Sequence, residues 1–282
     1  MNLEKQTCDN VHAPTVAGFG DEWSRLDQSE LPADEQKALF NEYFSIFPWA
    51  ELAEKPVGFD LGCGSGRWAQ MVAPQVAHLH CIEPSTALDV ARRNLALMTN
   101  CSFHQASVAK IPLPDGSMDF GYTLGVLHHI PDTQAGIEAC VKKLKVGAPL
   151  LLYLYYAFDQ RPIWFRALWR VSDVLRQLIS RMPYLLRFYT SQCIAAVVYF
   201  PLARFSMVAE KLGVNVYHFP LRYYRHRSFY TMRTDALDRF GTQLERRFTK
   251  PQIKRMMESA GLERILFSDS QPYWCAVGYR RP

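Results

Sequence analysis

The stretch Val57-Gly58-Phe59-Asp60-Leu61-Gly62-Cys63-Gly64-Ser65-Gly66-Arg67 constrains the fold of this chain most. A short apolar run ends in an acid, three glycines follow at alternate positions, and a helix-like segment begins. Glycine suits a backbone that turns sharply against a ligand, where Cβ has no room. The amides after such a turn, with the positive end of the next helix, favour a polar or negatively charged group. A dinucleotide loop spaces its glycines G-x-G-x-x-G. Here an acid stands two residues before the first glycine, and the third glycine comes one residue early.

The rest of the chain supplies the strands and helices that such a turn requires. Apolar runs predict strands over 57–61, 78–82, 102–105, 118–123 and 150–156, with helices over 67–72, 84–97 and 133–144 between them. Strands alternating with helices of this length imply right-handed parallel crossovers in an open sheet. The pattern stops after residue 158, where Trp- and Arg-rich helical stretches (163–180 and 190–212) precede an Arg/Tyr-rich run over 221–230. It resumes with a helix over 251–260 and strands over 262–267 and 273–279. Ahead of the sheet, residues 1–15 read as a loose tail. Phe19-Gly20-Asp21-Glu22-Trp23 then precedes a helix over 32–47.

Composition narrows the class. An apolar content of 49% in 282 residues is ample for a buried core. The seven cysteines have no pairing rhythm and read as reduced thiols of a cytoplasmic protein. No metal-ligand spacing emerges, and His78-x-His80 reads as part of an ordinary strand. Residues 1–9 carry no signal-peptide pattern. The uncharged apolar run near 193–203 contains Pro201 and is shorter than the roughly 18 to 20 residues of a spanning helix. The expectation is a soluble protein, or one lying on a membrane surface. The net charge is +5, yet residues 161–247 hold 15 Arg plus Lys against 5 Asp plus Glu. A basic segment on an acidic body suits an anionic partner.

Three further segments carry a family resemblance. Glu83 ends the second predicted strand, about twenty residues after the glycine turn, where a carboxylate holds ribose hydroxyls. Lys110-Ile111-Pro112-Leu113-Pro114-Asp115-Gly116-Ser117-Met118-Asp119 is similar to an "LPFPDGSFD" run. Val126-Leu127-His128-His129-Ile130-Pro131-Asp132 is similar to "VLHHIPD". With the D-x-G-x-G-x-G turn, these resemble the class I S-adenosylmethionine-dependent methyltransferases of the small-molecule and ubiquinone-pathway group. The resemblance implies an α/β fold: a seven-stranded Rossmann-like sheet, mostly parallel with the last strand antiparallel. It also implies a helical cap inserted after strand five. The expected division is N-terminal lid helices over 1–50, a core over 51–157 and 248–282, and a basic acceptor-binding cap over 158–247. Trp23 would then cover the site.

The resemblance also implies roles. S-adenosylmethionine would be the cofactor and S-adenosylhomocysteine the product. Asp60, Gly62, Cys63, Gly64, Gly66, Arg67, Glu83, Pro84, Ser85, Ser107, Val108 and Leu124 would bind it. Ser107 stands where the family usually has an acid. The in-line displacement needs a held nucleophile and, for oxygen, a base. His128 is the first choice, His129 the second, and Tyr155 and Tyr156 would line the acceptor site. Arg222, Tyr224, Arg225 and Arg227 suit a carboxylate or phosphate acceptor, and Asp235–Thr242 reads as a turn near that pocket. The expected activity is O-methylation of a small anionic metabolite. The alternatives are a lipid-linked or glycan acceptor at a membrane surface, with peripheral membrane contact, and a non-catalytic cofactor-binding subunit. Nothing resembles an RNA-binding module.

Overall fold

The computed structural model describes residues 9–159 and 161–282, so residues 1–8, expected to be a loose tail without a leader, lie outside the described residues. In chain order the elements begin with α1 (Ala13–Arg25) and α2 (Ala33–Tyr43). Then come β1 (Val57–Leu61), α3 (Ala69–Val72), β2 (His78–Ile82), α4 (Ala87–Asn94), β3 (Cys101–His104), β4 (Phe120–Leu124), α5 (Thr133–Lys143) and β5 (Pro149–Tyr153). Four more helices follow: α6 (Ile163–Ile179), α7 (Tyr184–Ile194), α8 (Phe200–Lys211) and α9 (Phe229–Gly241). The order closes with α10 (Lys250–Ser259), β6 (Leu262–Phe267) and β7 (Cys275–Arg280).

The seven strands form one sheet in the order β3-β2-β1-β4-β5-β7-β6, with β7 antiparallel to both neighbours. The first five strands pair in parallel. Each inner strand is covered on both faces, which is why its sequence is a continuous apolar run. β4 is buried along its whole length. β1 and β4 approach closely because each offers the other a glycine. A Cβ on Gly58 would lie 2.3 Å from the Phe120 ring, and one on Gly121 would lie 2.3 Å from Phe59.

The chain divides into two compact units. The first comprises residues 1–24, 37–157 and 244–282, and so holds the whole sheet. The second comprises residues 25–36 and 158–243. This differs from the expected division: residues 25–36 leave the N-terminal segment for the helical unit, and 244–247 belong with the sheet. In the first unit α1 begins at Ala13, inside the stretch read as a loose tail, and it includes the Phe19–Trp23 segment.

The second unit packs on α9. Met232, Ala236 and Phe240 of that helix form a small core with Ile179, Ala195, Tyr199 and Ala203. The stretch Asp235–Thr242 is therefore the C-terminal half of a helix and not a turn. Ser228 caps α9 by accepting from Thr231 N–H. Buried Glu35 accepts from Ser228 N–H at 2.9 Å and from Thr231 Oγ1 at 2.8 Å, placing negative charge at the positive helix end. α7 and α8 are joined by a π-helical turn, Ala195–Tyr199. The wider turn accommodates Pro201, whose ring would otherwise meet the carbonyl four residues back. The result is one continuous helix from Tyr184 to Lys211, with mean hydropathy 1.5 over its most apolar 18 residues. By length and composition it suffices to cross a bilayer, which corrects the expectation drawn from Pro201.

Candidate cofactor and active site

The glycine turn leaves β1 with Gly62 at φ +75°, Gly64 at +54° and Gly66 at +79°, all left-handed. Only glycine takes these values at no steric cost. The loop is tied down internally. Gly62 and Cys63 both donate to the Ile82 carbonyl, at 2.7 and 3.2 Å. Gly66 donates to Cys63 O at 2.8 Å, and Gly64 donates to Glu83 Oε2 at 3.2 Å. These four amides are spent within the protein, so the turn contributes its shape more than a row of donors. Beside it opens a cleft of about 900 Å³, counting space open to solvent.

Two buried carboxylates stand behind and beside the loop. Glu83 lies on the cleft wall, and its Oε1 accepts from Ser85 N–H at 3.0 Å and Ser85 Oγ at 2.5 Å. Burial raises its pKa, while the bonds from Ser85 and Gly64 pull it down. Asp60 is 1% exposed and does not reach the cleft wall. Burial pushes its pKa up to about 8, against the pull of the Tyr122 hydroxyl and with a further push from Glu83. Its Oδ2 is buried without a hydrogen-bond partner.

β4 ends at Leu124, and Gly125, Val126, His129 and Ile130 carry the wall onward. His129 donates its Nδ1–H to the Leu244 carbonyl at 2.8 Å. A carbonyl can only accept, so Nδ1 bears a proton, and Nε2, the other ring nitrogen, is buried. His128 does not line the cleft. It is fully buried, both its ring nitrogens lack hydrogen-bond partners, and burial holds its pKa well below the usual value. Its ring stacks 3.8 Å from that of Tyr155, over which the Arg247 guanidinium lies at 4.9 Å. Tyr155 is thus part of the support behind the wall. Tyr156, partly buried, packs against Tyr273 and Trp274.

Residues 59–152 match the family model described as a methyltransferase domain. Residues 59–152 carry a methyltransferase domain. Among curated relatives, a ubiquinone biosynthesis O-methyltransferase of Pectobacterium atrosepticum is 26% identical over 165 residues, 52% of this chain and 62% of that protein. The human protein named "Probable tRNA methyltransferase 9B" is 27% identical over 166 residues, 56% of this chain and 31% of that one. The chain thus spans under two thirds of the length of these relatives. Among solved structures, an O-methyltransferase family protein of Burkholderia thailandensis superposes with a TM-score of 0.50 at 15% identity. That match covers 88% of this chain and 56% of the other, and it shows a shared fold.

The methyltransferase cleft fits S-adenosylmethionine. A Cβ on Gly64 would lie 3.0 Å from Trp23 Nε1, and one on Gly66 2.9 Å from Leu95, so the cradle exists only with glycine. Glu83 stands beside it on the cleft wall, and the buried Asp60 carboxyl lies behind the turn. Cys63, Arg67, Pro84, Val108 and Leu124 line the same cleft. Ser85 instead holds Glu83, and Ser107 Oγ is buried away from the wall. Of the opposite wall the sequence reading named only Trp23. Val11, His12, Thr15, Val16 and Phe19 come from α1 and the residues before it, with Trp23 from the same helix. Their only signal was an aromatic spacing, since the placement of α1 is a tertiary fact. His12 Nδ1 lies 2.8 Å from Thr15 Oγ1.

The Arg/Tyr cluster of the second unit is put to other work. Arg222–His226 is a short 3-10 helix. Arg225 pairs with Glu210 at 2.8 Å, Arg222 lies over the Tyr217 ring, and Arg227 lies over Tyr223. Tyr224 packs against Tyr199. These contacts knit the 222–227 segment to its own unit, which corrects the reading of Arg222, Tyr224, Arg225 and Arg227 as a convergent anion grip.

Proposed function

We propose that this chain O-methylates a small, largely apolar molecule that carries an ionisable hydroxyl, with His129 as the base. The observation that supports this reading is the His129–Leu244 hydrogen bond, which leaves Nε2, a buried atom of a residue on the cleft wall, as the ring nitrogen that can take a proton. Bound in the glycine cradle, S-adenosylmethionine supplies an electrophilic methyl group and leaves as S-adenosylhomocysteine.

His129 takes the hydroxyl proton of the acceptor as the oxygen becomes nucleophilic. Val11, Val16, Phe19 and Ile130 offer an apolar surface that excludes water and suits a hydrophobic acceptor body. An anionic acceptor loses its support, because the arginines expected to grip it are already engaged. The test is transfer of isotope-labelled methyl into extract fractions separated into metabolites, lipids, RNA and protein. Label in the metabolite fraction that His129→Gln abolishes supports the reading. Label confined to RNA or protein overturns it, and cofactor binding without transfer in any fraction points to a binding subunit.

A further inference from the structure

The long helix of the second unit is built inside out for a water-facing element. Its packed face carries mostly small residues, with one tyrosine and one arginine: Arg187, Ser191, Ala195, Tyr199, Ala203, Ser206 and Ala209 are buried. Its outer face carries the large apolar side chains. Leu186, Tyr189, Val197, Phe205, Val208 and Leu212 follow one another at helical spacing and are between 49% and 77% exposed. α6 repeats the arrangement, with Trp164, Leu168, Val171, Leu175 and Leu178 at i, i+4, i+7, i+11 and i+14, each about half exposed or more. A soluble helix turns such a stripe inward, and exposed apolar areas of this extent mark interaction surfaces.

The charges on these helices identify the occupant. Arg166, Arg170 and Lys211 are exposed, as is Arg181 in the turn between the two helices. The two acids of the same helices are committed: Asp173 to Arg176 and Arg239, and Glu210 to Arg225 and His226. A second copy would bring arginine against arginine with no acid to receive it. An anionic lipid headgroup layer would receive both the arginines and the apolar stripe. The helix also keeps one face packed on α9, with the buried Arg187 guanidinium donating to Ser180 O and Gly241 O. Crossing a bilayer would tear that face away. We infer that the outer faces of α6 and of the Tyr184–Lys211 helix bind an anionic membrane surface, lying in its plane.

This inference is independent of the proposed reaction, because its test needs neither cofactor nor acceptor. The purified chain is sedimented with vesicles of phosphatidylcholine alone and with vesicles of equal parts phosphatidylcholine and phosphatidylglycerol. Binding is expected to the mixed vesicles, to weaken with salt, and to be reversed by alkaline carbonate. Arg166→Gln with Arg170→Gln should weaken it roughly 25-fold, at about fivefold per cation. Leu168→Asp with Val171→Asp should abolish it, with the melting temperature unchanged because these side chains point outward. Equal binding to both vesicle types, or none to either, overturns the inference. Retention through carbonate extraction overturns it in favour of a spanning helix. A dimer dispersed by the same substitutions, without vesicle binding, overturns it in favour of a second copy.

Discussion

The imidazole of His129 is oriented by the carbonyl of Leu244, 115 positions along the chain. Segment 244–248 runs beside the wall after the inserted helices: Arg246 N–H donates to His128 O at 3.0 Å, and Phe248 N–H to Tyr155 O at 2.8 Å. The histidine pair is therefore held from both sides of the insertion. His129→Gln is expected to lower the methyl-transfer rate by about 10²–10⁴-fold, the usual worth of a general base, with cofactor affinity in calorimetry little changed. His128→Phe, which keeps an aromatic ring against Tyr155, is expected to retain most of the rate.

The glycine turn makes a graded prediction about stability. At Gly62 the φ of +75° would cost a side chain about 1–2 kcal/mol. Its Cβ would also fall 2.3 Å from a methyl of Val126, whose branched side chain cannot swing away freely. Gly62→Ala should cost roughly 2–4 kcal/mol in denaturant titration. Gly125 shares the conformation at φ +81°, but a Cβ there would meet nothing within 4 Å. Gly125→Ala should cost only the backbone share, about 1–2 kcal/mol.

One buried group, Asp60, and one half-buried group, His80, tilt stability with pH in opposite directions. Asp60, raised to about 8 by burial, holds its proton more tightly folded than unfolded. Its contribution is full below the ordinary carboxyl pKa and is lost as pH climbs towards 8. Asp60→Asn should therefore flatten the fall of melting temperature with rising pH over that window.

His80 behaves in the opposite sense. Burial, with the neighbouring His78 and His104, lowers its pKa to about 4. Its contribution is full above the ordinary histidine pKa and is lost as pH falls towards 4. Melting temperatures of His80→Asn should lose less on acidification from about pH 6.5, the ordinary histidine value, than those of the parent.

Glu35 supports α9 from a distant segment of the same unit. Glu35→Ala strands the Ser228 amide and the Thr231 hydroxyl in a buried place. An unsatisfied buried group costs about 1–3 kcal/mol, so the loss should appear in denaturant titration as at least that much. Glu35→Gln, which keeps one acceptor oxygen, should recover part of it.

What was legible in the sequence is what local pattern encodes. The apolar runs predict all seven strands, with ends shifted by a few residues at most. The glycine spacing with Glu83 places the cradle. Of the wall built by α1 only Trp23 was expected; His12 and Phe19 were hidden, because nothing in α1 itself says which loop it lies against. Which histidine of the pair meets the cleft was hidden too: the choice depends on Leu244, beyond the insertion. Pro201 masked the continuity of the Tyr184–Lys211 helix, since a π-helical turn is a backbone adjustment with no sequence mark of its own.

The position of β7 bears on how the chain is made. This strand lies between β5 and β6, with Leu151 opposite Val277. During synthesis β5 therefore emerges with one edge open and keeps it open while the whole helical unit is produced. Nascent chains pair exposed strand edges readily with one another. The sheet is sealed from within by its last strand, so an early stop before Cys275 would leave a gap in the middle of the sheet and not merely a shortened end.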